Sequence, residues 1–262
     1  MKNTDDTSLT LSTRPFKSSA GFSLIELLVT LSIIALLSGI MMPTLKGVRA
    51  SAEKLMCANN MRAIYYGFNG FANDHMSPIM PTSIPYKNKI YKDTMAITAN
   101  ENPNERQEWD GLGLLLKGAY LDNCKCLYCA SHHGDHSFET YQADLENIST
   151  QPVSPDRQLF CNYQYAGGYE NGYKKNNELN KSPKKIYFND SANNVLLTDG
   201  MRSANDFNHG KGSNSLSSGG EIRWFNNNEK ILSPKLNARI TGELPNESFP
   251  SIWASIQKEV NQ

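Results

Sequence analysis

The sequence predicts an α+β protein in which one long N-terminal helix, membrane-spanning in its first half and amphipathic in its second, packs on a small antiparallel sheet with long loops. Three observations carry this. Residues 22–42, FSLIELLVTLSIIALLSGIMM, form the only long apolar run in a chain of 262 residues. Beyond Pro43, apolar residues recur every three or four positions, the period of a helix with one buried face. Farther on come short runs rich in apolar and aromatic residues, set between Gly-, Asn- and Ser-rich stretches, which read as strands between turns.

The apolar run comes first. At about 1.5 Å per residue, residues 22–42 span about 31 Å, close to the hydrocarbon thickness of a bilayer. Arg14 and Lys17 precede the run, and Lys46 and Arg49 follow it. The leading pair favours a cytoplasmic N-terminus, with the body in the periplasm or beyond. An ordinary secretory signal fits poorly, because its apolar stretch is about 7–15 residues and its small-residue cleavage site follows that stretch. Here Ser18-Ser19-Ala20-Gly21 stands before it.

Glu26 is the one formal charge inside the run. A carboxylate in hydrocarbon costs about 2.5–3.5 kcal/mol on insertion scales, so it calls for a partner or a function. A glutamate snorkelling at a helix end is the plainer reading. At 100° per residue, Ser23, Glu26, Thr30 and Ser38 share about a third of the helix circumference, a stripe of the kind through which membrane helices pack. Pro43 either bends the helix or ends the span.

After Pro43 the apolar positions are Leu45, Val48, Ala52, Leu55, Ala58, Met61, Ile64, Phe68 and Phe71, with Asn73-Asp74 and Pro78 as the stop. The expected organisation is a leader over 1–21, a transmembrane helix over 22–42, an amphipathic helix over 43–75 and a globular head over 76–262. Strand candidates are Ile186–Phe188, Asn194–Thr198 and Glu221–Phe225. Residues 80–108 and 137–158 read as loops or insertions.

The N-terminal segment Lys17-Ser-Ser-Ala-Gly21-Phe22-Ser-Leu-Ile-Glu26-Leu-Leu-Val-Thr resembles the leader of type IV prepilins and type II secretion pseudopilins. The resemblance implies a pilin-like fold and cleavage after Gly21 by a prepilin peptidase, with methylation of the new amine of Phe22. It also implies that Glu26 pairs with the N-terminal amine of a neighbouring subunit, and that Pro43 marks the helix kink. The implied partners are other pilin-like subunits, the peptidase, the secretion or pilus assembly machinery, and the membrane. The implied location is the inner membrane, single-pass, with a periplasmic head or a place in an extracellular filament. Later segments, among them Val195-Leu-Leu-Thr-Asp199-Gly200 and Asn208-His209-Gly210-Lys-Gly212-Ser-Asn214 leading to Gly219-Gly220, resemble a subgroup common in planctomycete-like bacteria. In that subgroup the last Gly pair is usually Asp-Gly, and Gly219 departs from it.

Several constellations remain. Cys124, Cys126 and Cys129, with His132 and His133 close behind, have ligand types suited to zinc, although paired Cys-x-x-Cys knuckles are absent. Outside the cytoplasm, disulfides compete for the same thiols, and with Cys57 and Cys161 the total is five, so at least one sulfur stays outside any disulfide. Disulfide, metal and plain thiol all stay open, and spacing does not give connectivity. Asp199, Asp206 and His209 lack the dense acidic spacing of a calcium loop, and His209 is expected to hydrogen-bond backbone in a Gly-rich turn. Gly210, Gly212, Gly219 and Gly220 do not form a phosphate loop, and no serine lies in a nucleophile elbow. A formal charge of zero gives nucleic acid no electrostatic footprint, and no cofactor is implied. The sequence thus favours a structural assembly subunit over an enzyme, with a membrane-tethered, non-polymerising binding protein bearing a Cys/His-rich head as the alternative.

Overall fold

The computed structural model describes residues 21–75, 79–83, 85–86, 89–90, 95–99, 108–147, 157–167, 187, 192–200, 208–209, 212–226 and 249–260. The chain divides into two compact units, Met1–Val48 and Arg49–Gln262. Helix α1, Leu24–Asp74, contributes to both.

In the first unit, Ser23 takes the cap position of α1. Its carbonyl accepts Leu27 N–H at 3.2 Å, and its own N–H donates to Glu26 Oε2 at 2.9 Å. Glu26 thus supplies one half of a capping box, in which an acid three residues on satisfies a donor that the helix leaves open. The hydroxyls of Thr30, Ser32 and Thr44 donate to the carbonyls of Leu27, Val29 and Met41, so these polar groups are satisfied inside the helix. The helix runs on through Pro43, whose missing N–H removes the bond to the Gly39 carbonyl. Its most apolar 18-residue window has a mean hydropathy of 2.4 and no buried residue. Among the described residues α1 alone is long and apolar enough to cross a membrane.

The second unit is built on the remainder of α1. Cys57, Met61, Ile64, Phe68 and Phe71 are buried in its core, at the four-three spacing of one helix face. Burying a side chain such as Ile64 or Phe68 contributes about 1.5–3 kcal/mol. The expected stripe is corrected at its start: Ala52 and Leu55 are exposed, and Cys57 takes the inward position. Leu45 and Val48, in the first unit, are exposed as well.

The principal sheet is antiparallel in the order β5 (Tyr163–Tyr165), β6 (Val195–Asp199), β7 (Ser213–Ser217), β8 (Ile222–Phe225). Two-residue ladders pair β1 (Pro85–Tyr86) with β2 (Lys89–Ile90) and β3 (Thr98–Ala99) with β4 (Glu108–Trp109). Register sets Tyr165 beside Leu197, Leu197 beside Leu216, and Leu216 beside Ile222. Along the same face Tyr163 lies opposite Asp199, and Asn214 opposite Trp224. This face meets α1. Tyr165 stacks on Phe68 at 5.4 Å, Asn60 Nδ2 donates to Tyr163 Oη at 3.1 Å, and Lys54 Nζ sits 3.8 Å over the Trp224 ring. A long helix with small antiparallel sheets is the α+β, pilin-like arrangement that the sequence anticipates.

Short helices complete the body: α2 (Gly113–Lys117), a 3-10 turn (Cys124–Leu127) and α3 (Phe138–Glu146). Helix α3 corrects the reading of 137–158 as loop. It places Tyr141 and Leu145 in the core, four residues apart on one face. A last helix, α4 (Phe249–Val260), buries Trp253, Ile256 and Val260. Val195 N–H donates to Gln257 Oε1 at 2.7 Å, and Arg223 donates to the Val260 carbonyl, so α4 is fixed to β6 and β8. Two expected strands fall on β6 and β8. Of the third, Ile186–Phe188, only Tyr187 is described, bridging antiparallel to Ile79, and the other two residues lie outside the described set. Strand β7, not among the expected strands, lies between β6 and β8 in the sheet.

Candidate functional site

Two places hold the chemistry-bearing residues, one in each unit. The first is the start of α1. Phe22 is exposed, and a Cβ built on Gly21 meets no atom within 4 Å. Three residues past Ser23, Glu26 turns its carboxylate back toward the N-terminal end of its own helix, where it holds the Ser23 N–H.

The second is a buried junction between α1 and the sheet. Cys57, from α1, is joined by a disulfide to Cys129, with Cα atoms 5.5 Å apart and a sequence separation of 72. Asn162 orients the Cys129 backbone, accepting its N–H at 3.1 Å. Asp199, at the end of β6, is fully buried. Asn214 on β7 donates twice to its Oδ2, from the backbone N–H at 2.6 Å and from Nδ2 at 3.1 Å. Asp199 Oδ1 is buried with no hydrogen-bond partner among the described residues. His209 comes from the connection between β6 and β7. Its Nδ1 lies 3.1 Å from Ser131 Oγ, its Nε2 lies 3.7 Å from Cys129 Sγ and 3.6 Å from Asp199 Oδ2, and its ring meets Trp224 edge-on at 5.6 Å. Potential ligand atoms of Cys57, Cys129, Asp199 and His209 all lie within 4.8 Å of one another, and all four residues are buried.

Electrostatics at the junction follow from burial. Loss of water pushes the Asp199 carboxyl up to about 7, against the Asn214 donors that hold it down. It brings the His209 imidazole down to about 4; Glu53 opposes that shift, and Lys54 and His133 add to it. Near neutral pH the imidazole is therefore uncharged. A sulfur in a disulfide can only accept a hydrogen bond, so toward Cys129 Sγ the donor is either the Ser131 hydroxyl at 3.2 Å, with His209 Nδ1–H then donating to Ser131 Oγ, or His209 Nε2–H at 3.7 Å, with Ser131 then donating to Nδ1.

Ser131, His209 and Asp199 are the residue types of a nucleophilic triad, but the arrangement does not suit one. Ser131 is 4% exposed and Asp199 0%, and Nε2 stands beyond hydrogen-bond reach of the carboxylate. Burial also disfavours the imidazolium that a triad must stabilise.

The structure separates the other sequence candidates. Cys124 and Cys126, in the 3-10 turn, keep their thiols. Burial raises both, Cys126 up to about 12 with a further push from Cys124. Cys161 keeps a buried thiol that donates to the Tyr163 carbonyl at 3.3 Å. His132 Nδ1 lies 2.8 Å from Asn208 Oδ1, and His133 is exposed. His209, expected to bond backbone, meets side chains from three other segments, those of Cys129 and Ser131, of Asp199 and of Trp224. Asp206 lies outside the described residues. Sequence reasoning gave no role to Ser131, Asn162 or Asn214, although Asn214 ends a segment singled out for its resemblance; all three gain their places only through folding.

Residues 16–42 match the prokaryotic N-terminal methylation motif, the type IV prepilin and pseudopilin signature. Neither a curated protein nor a solved structure matches the chain.

Proposed function

We propose that this chain, carrying the prepilin signature at residues 16–42, is a pilin-like subunit that a prepilin peptidase cuts after Gly21. The new amine of Phe22 is methylated, and the helix from Phe22 onward anchors the protein in the inner membrane. The N-terminus faces the cytoplasm and the head faces the periplasm. Subunits assemble through this helix into a type II secretion pseudopilus or a related filament. The work is mechanical, carried by helix packing.

One observation carries the reading. The methylation motif sits directly on an apolar helix whose 18-residue window has no buried residue, so the side chains that a filament or a membrane would cover are open in the single chain. Glu26 fits the scheme physically. Its carboxylate already accepts an N–H at the helix start, and an ammonium brought by a neighbouring subunit offers a charge-assisted bond of greater strength. That pairing neutralises both groups in a low-dielectric setting and fixes the stagger between subunits.

The deciding measurement is N-terminal mass spectrometry of protein extracted from membranes. The expected terminus is methylated Phe22. A chain beginning at Met1, or one that has lost residues 22–42 on export, sinks the proposal. Since open space surrounds Gly21, Gly21→Ala tests the peptidase and not folding. A Glu26→Ala protein that stays inserted but monomeric supports assembly through Glu26. If that monomer is fully functional, the chain is a tethered binding protein.

A further inference from the structure

We infer that Cys57, Cys129, Asp199 and His209 form a four-ligand site for a divalent metal of zinc type when the two sulfurs are thiolates, so that disulfide and metal are alternative closures of one junction. The inference does not depend on N-terminal processing.

Geometry supplies the first argument. In a tetrahedral zinc site with Zn–S of about 2.3 Å and Zn–N and Zn–O of about 2.0–2.1 Å, neighbouring ligand atoms stand about 3.3–3.8 Å apart. The 3.7 Å from His209 Nε2 to Cys129 Sγ is already such an edge, and the Asp199 carboxylate, whose Oδ1 is the oxygen open to a metal, stands 3.6 Å from Nε2 at its Oδ2. The two sulfurs, now bonded, must part, and the other ligand atoms, all within 4.8 Å of one another, must settle onto those edges.

The surrounding groups supply the second. A metal-bound histidine gives its other ring N–H to an acceptor that fixes tautomer and orientation, and Ser131 Oγ stands 3.1 Å from Nδ1 for that purpose. Asn214 holds one carboxylate oxygen with two donors while Oδ1 is left over among the described residues. An acceptor buried without a partner costs about 1–3 kcal/mol, and a cation removes that cost. The donor set of two thiolates, one imidazole and one carboxylate favours zinc over calcium or magnesium, which want oxygen alone. The four ligands come from α1, the segment after the 3-10 turn, β6 and the β6–β7 connection, so the metal would fasten the same elements as the disulfide.

Exchange between the closures is balanced by a dithiol reductant. It gives two electrons and two protons to the Cys57–Cys129 bond and leaves as its own disulfide. Each cysteine thiol then loses its proton as the metal binds.

The test uses the full chain in detergent micelles. Oxidised and phosphine-reduced samples are each incubated with zinc or cobalt(II), desalted and analysed for metal. We expect about one metal per reduced chain, with the visible absorption of tetrahedral, thiolate-bound cobalt, and at least about tenfold less in the oxidised chain. Zinc should protect Cys57 and Cys129 from alkylation, read by peptide mass spectrometry, while Cys124 still reacts. His209→Gln combined with Asp199→Asn should weaken binding by about tenfold to a hundredfold, and Cys124→Ser with Cys126→Ser should not. Absence of stoichiometric metal in the reduced chain, protection of Cys124 and Cys126 in place of Cys57 and Cys129, or loss of binding in the Cys124/Cys126 variant would each overturn the assignment. Alkylation protection is read on the unaltered chain, so a variant that fails to fold does not remove the test.

Discussion

In the oxidised, metal-free protein, replacing either Asp199 or His209 should give opposite pH slopes of stability. Asp199 is held at about 7 against an ordinary 3.8. A raised folded value means that its contribution is full below about 3.8 and is lost as pH climbs through 7. Over that interval the folded state carries one proton more than the unfolded chain, and the loss totals about 4 kcal/mol, at most about 1.4 kcal/mol per pH unit. His209 is held at about 4 against an ordinary 6.5. The unfolded chain therefore carries the extra proton, and stability is gained as pH rises from about 4 to 6.5. The gain is roughly 2 kcal/mol once screening by water at the imidazole edge is allowed for. At pH 5 the pair binds one proton in both states, wherever that proton sits between them, so the two effects largely cancel. The groups that bear on His209 are Glu53, Lys54 and His133, and Asn214 bears on Asp199; all remain in both variants. Urea unfolding followed by tryptophan fluorescence at pH 4.5, 5.5 and 6.5 reads the slopes. Asp199→Asn should become more stable with rising pH and His209→Gln less stable, each relative to the unaltered chain. Two variants whose slopes share a sign, or both match the parent, would refute the argument.

Other expectations are quicker to check. Glu26→Gln keeps a hydrogen-bonding side chain but removes the charge, and crosslinking in membranes should show filament assembly reduced by tenfold or more while insertion is unchanged. Gly220 has a φ of +83°, and a Cβ there would come within 2.6 Å of the Tyr65 ring; Gly220→Ala should lower unfolding free energy by about 2–3 kcal/mol in urea titrations. In the oxidised native chain Cys124 should be alkylated first at pH 8, with Cys126, held at about 12, and buried Cys161 at least tenfold slower by peptide mass spectrometry. Cys129→Ser without metal should lose up to about 4 kcal/mol by equilibrium denaturation, the chain-entropy figure for a loop of this length.

The parts legible in the sequence are those in which local pattern and burial coincide. Met61, Ile64, Phe68 and Phe71 announce a helix face because a 3.6-residue period has one structural meaning at that length. Leu55 misleads for a simple reason: it keeps the period, yet Cys57 turns inward and Leu55 faces out. Strand β7, Ser-Asn-Ser-Leu-Ser, has little intrinsic preference for extended structure and is a strand because β6 and β8 pair with it on either side. Helix α4 could have been found, since Trp253, Ile256 and Val260 stand at helical spacing. The junction could not. Cys57 and Cys129 are 72 positions apart, and Asp199 meets His209 only because strand register turns Asp199 toward α1. Ser131 and Asn214 take their places there through tertiary packing alone.

The Cys57–Cys129 bond has a mechanical consequence. Cys57 is the first buried residue met along α1 from its N-terminal end. A pull applied between the two ends of the chain would pass across the covalent bridge and continue beyond Cys129, leaving residues 58–128 slack. A traction load would therefore spare the stretch that contains Met61, Ile64, Phe68 and Phe71, and the first element to yield would lie before Cys57 or beyond Cys129.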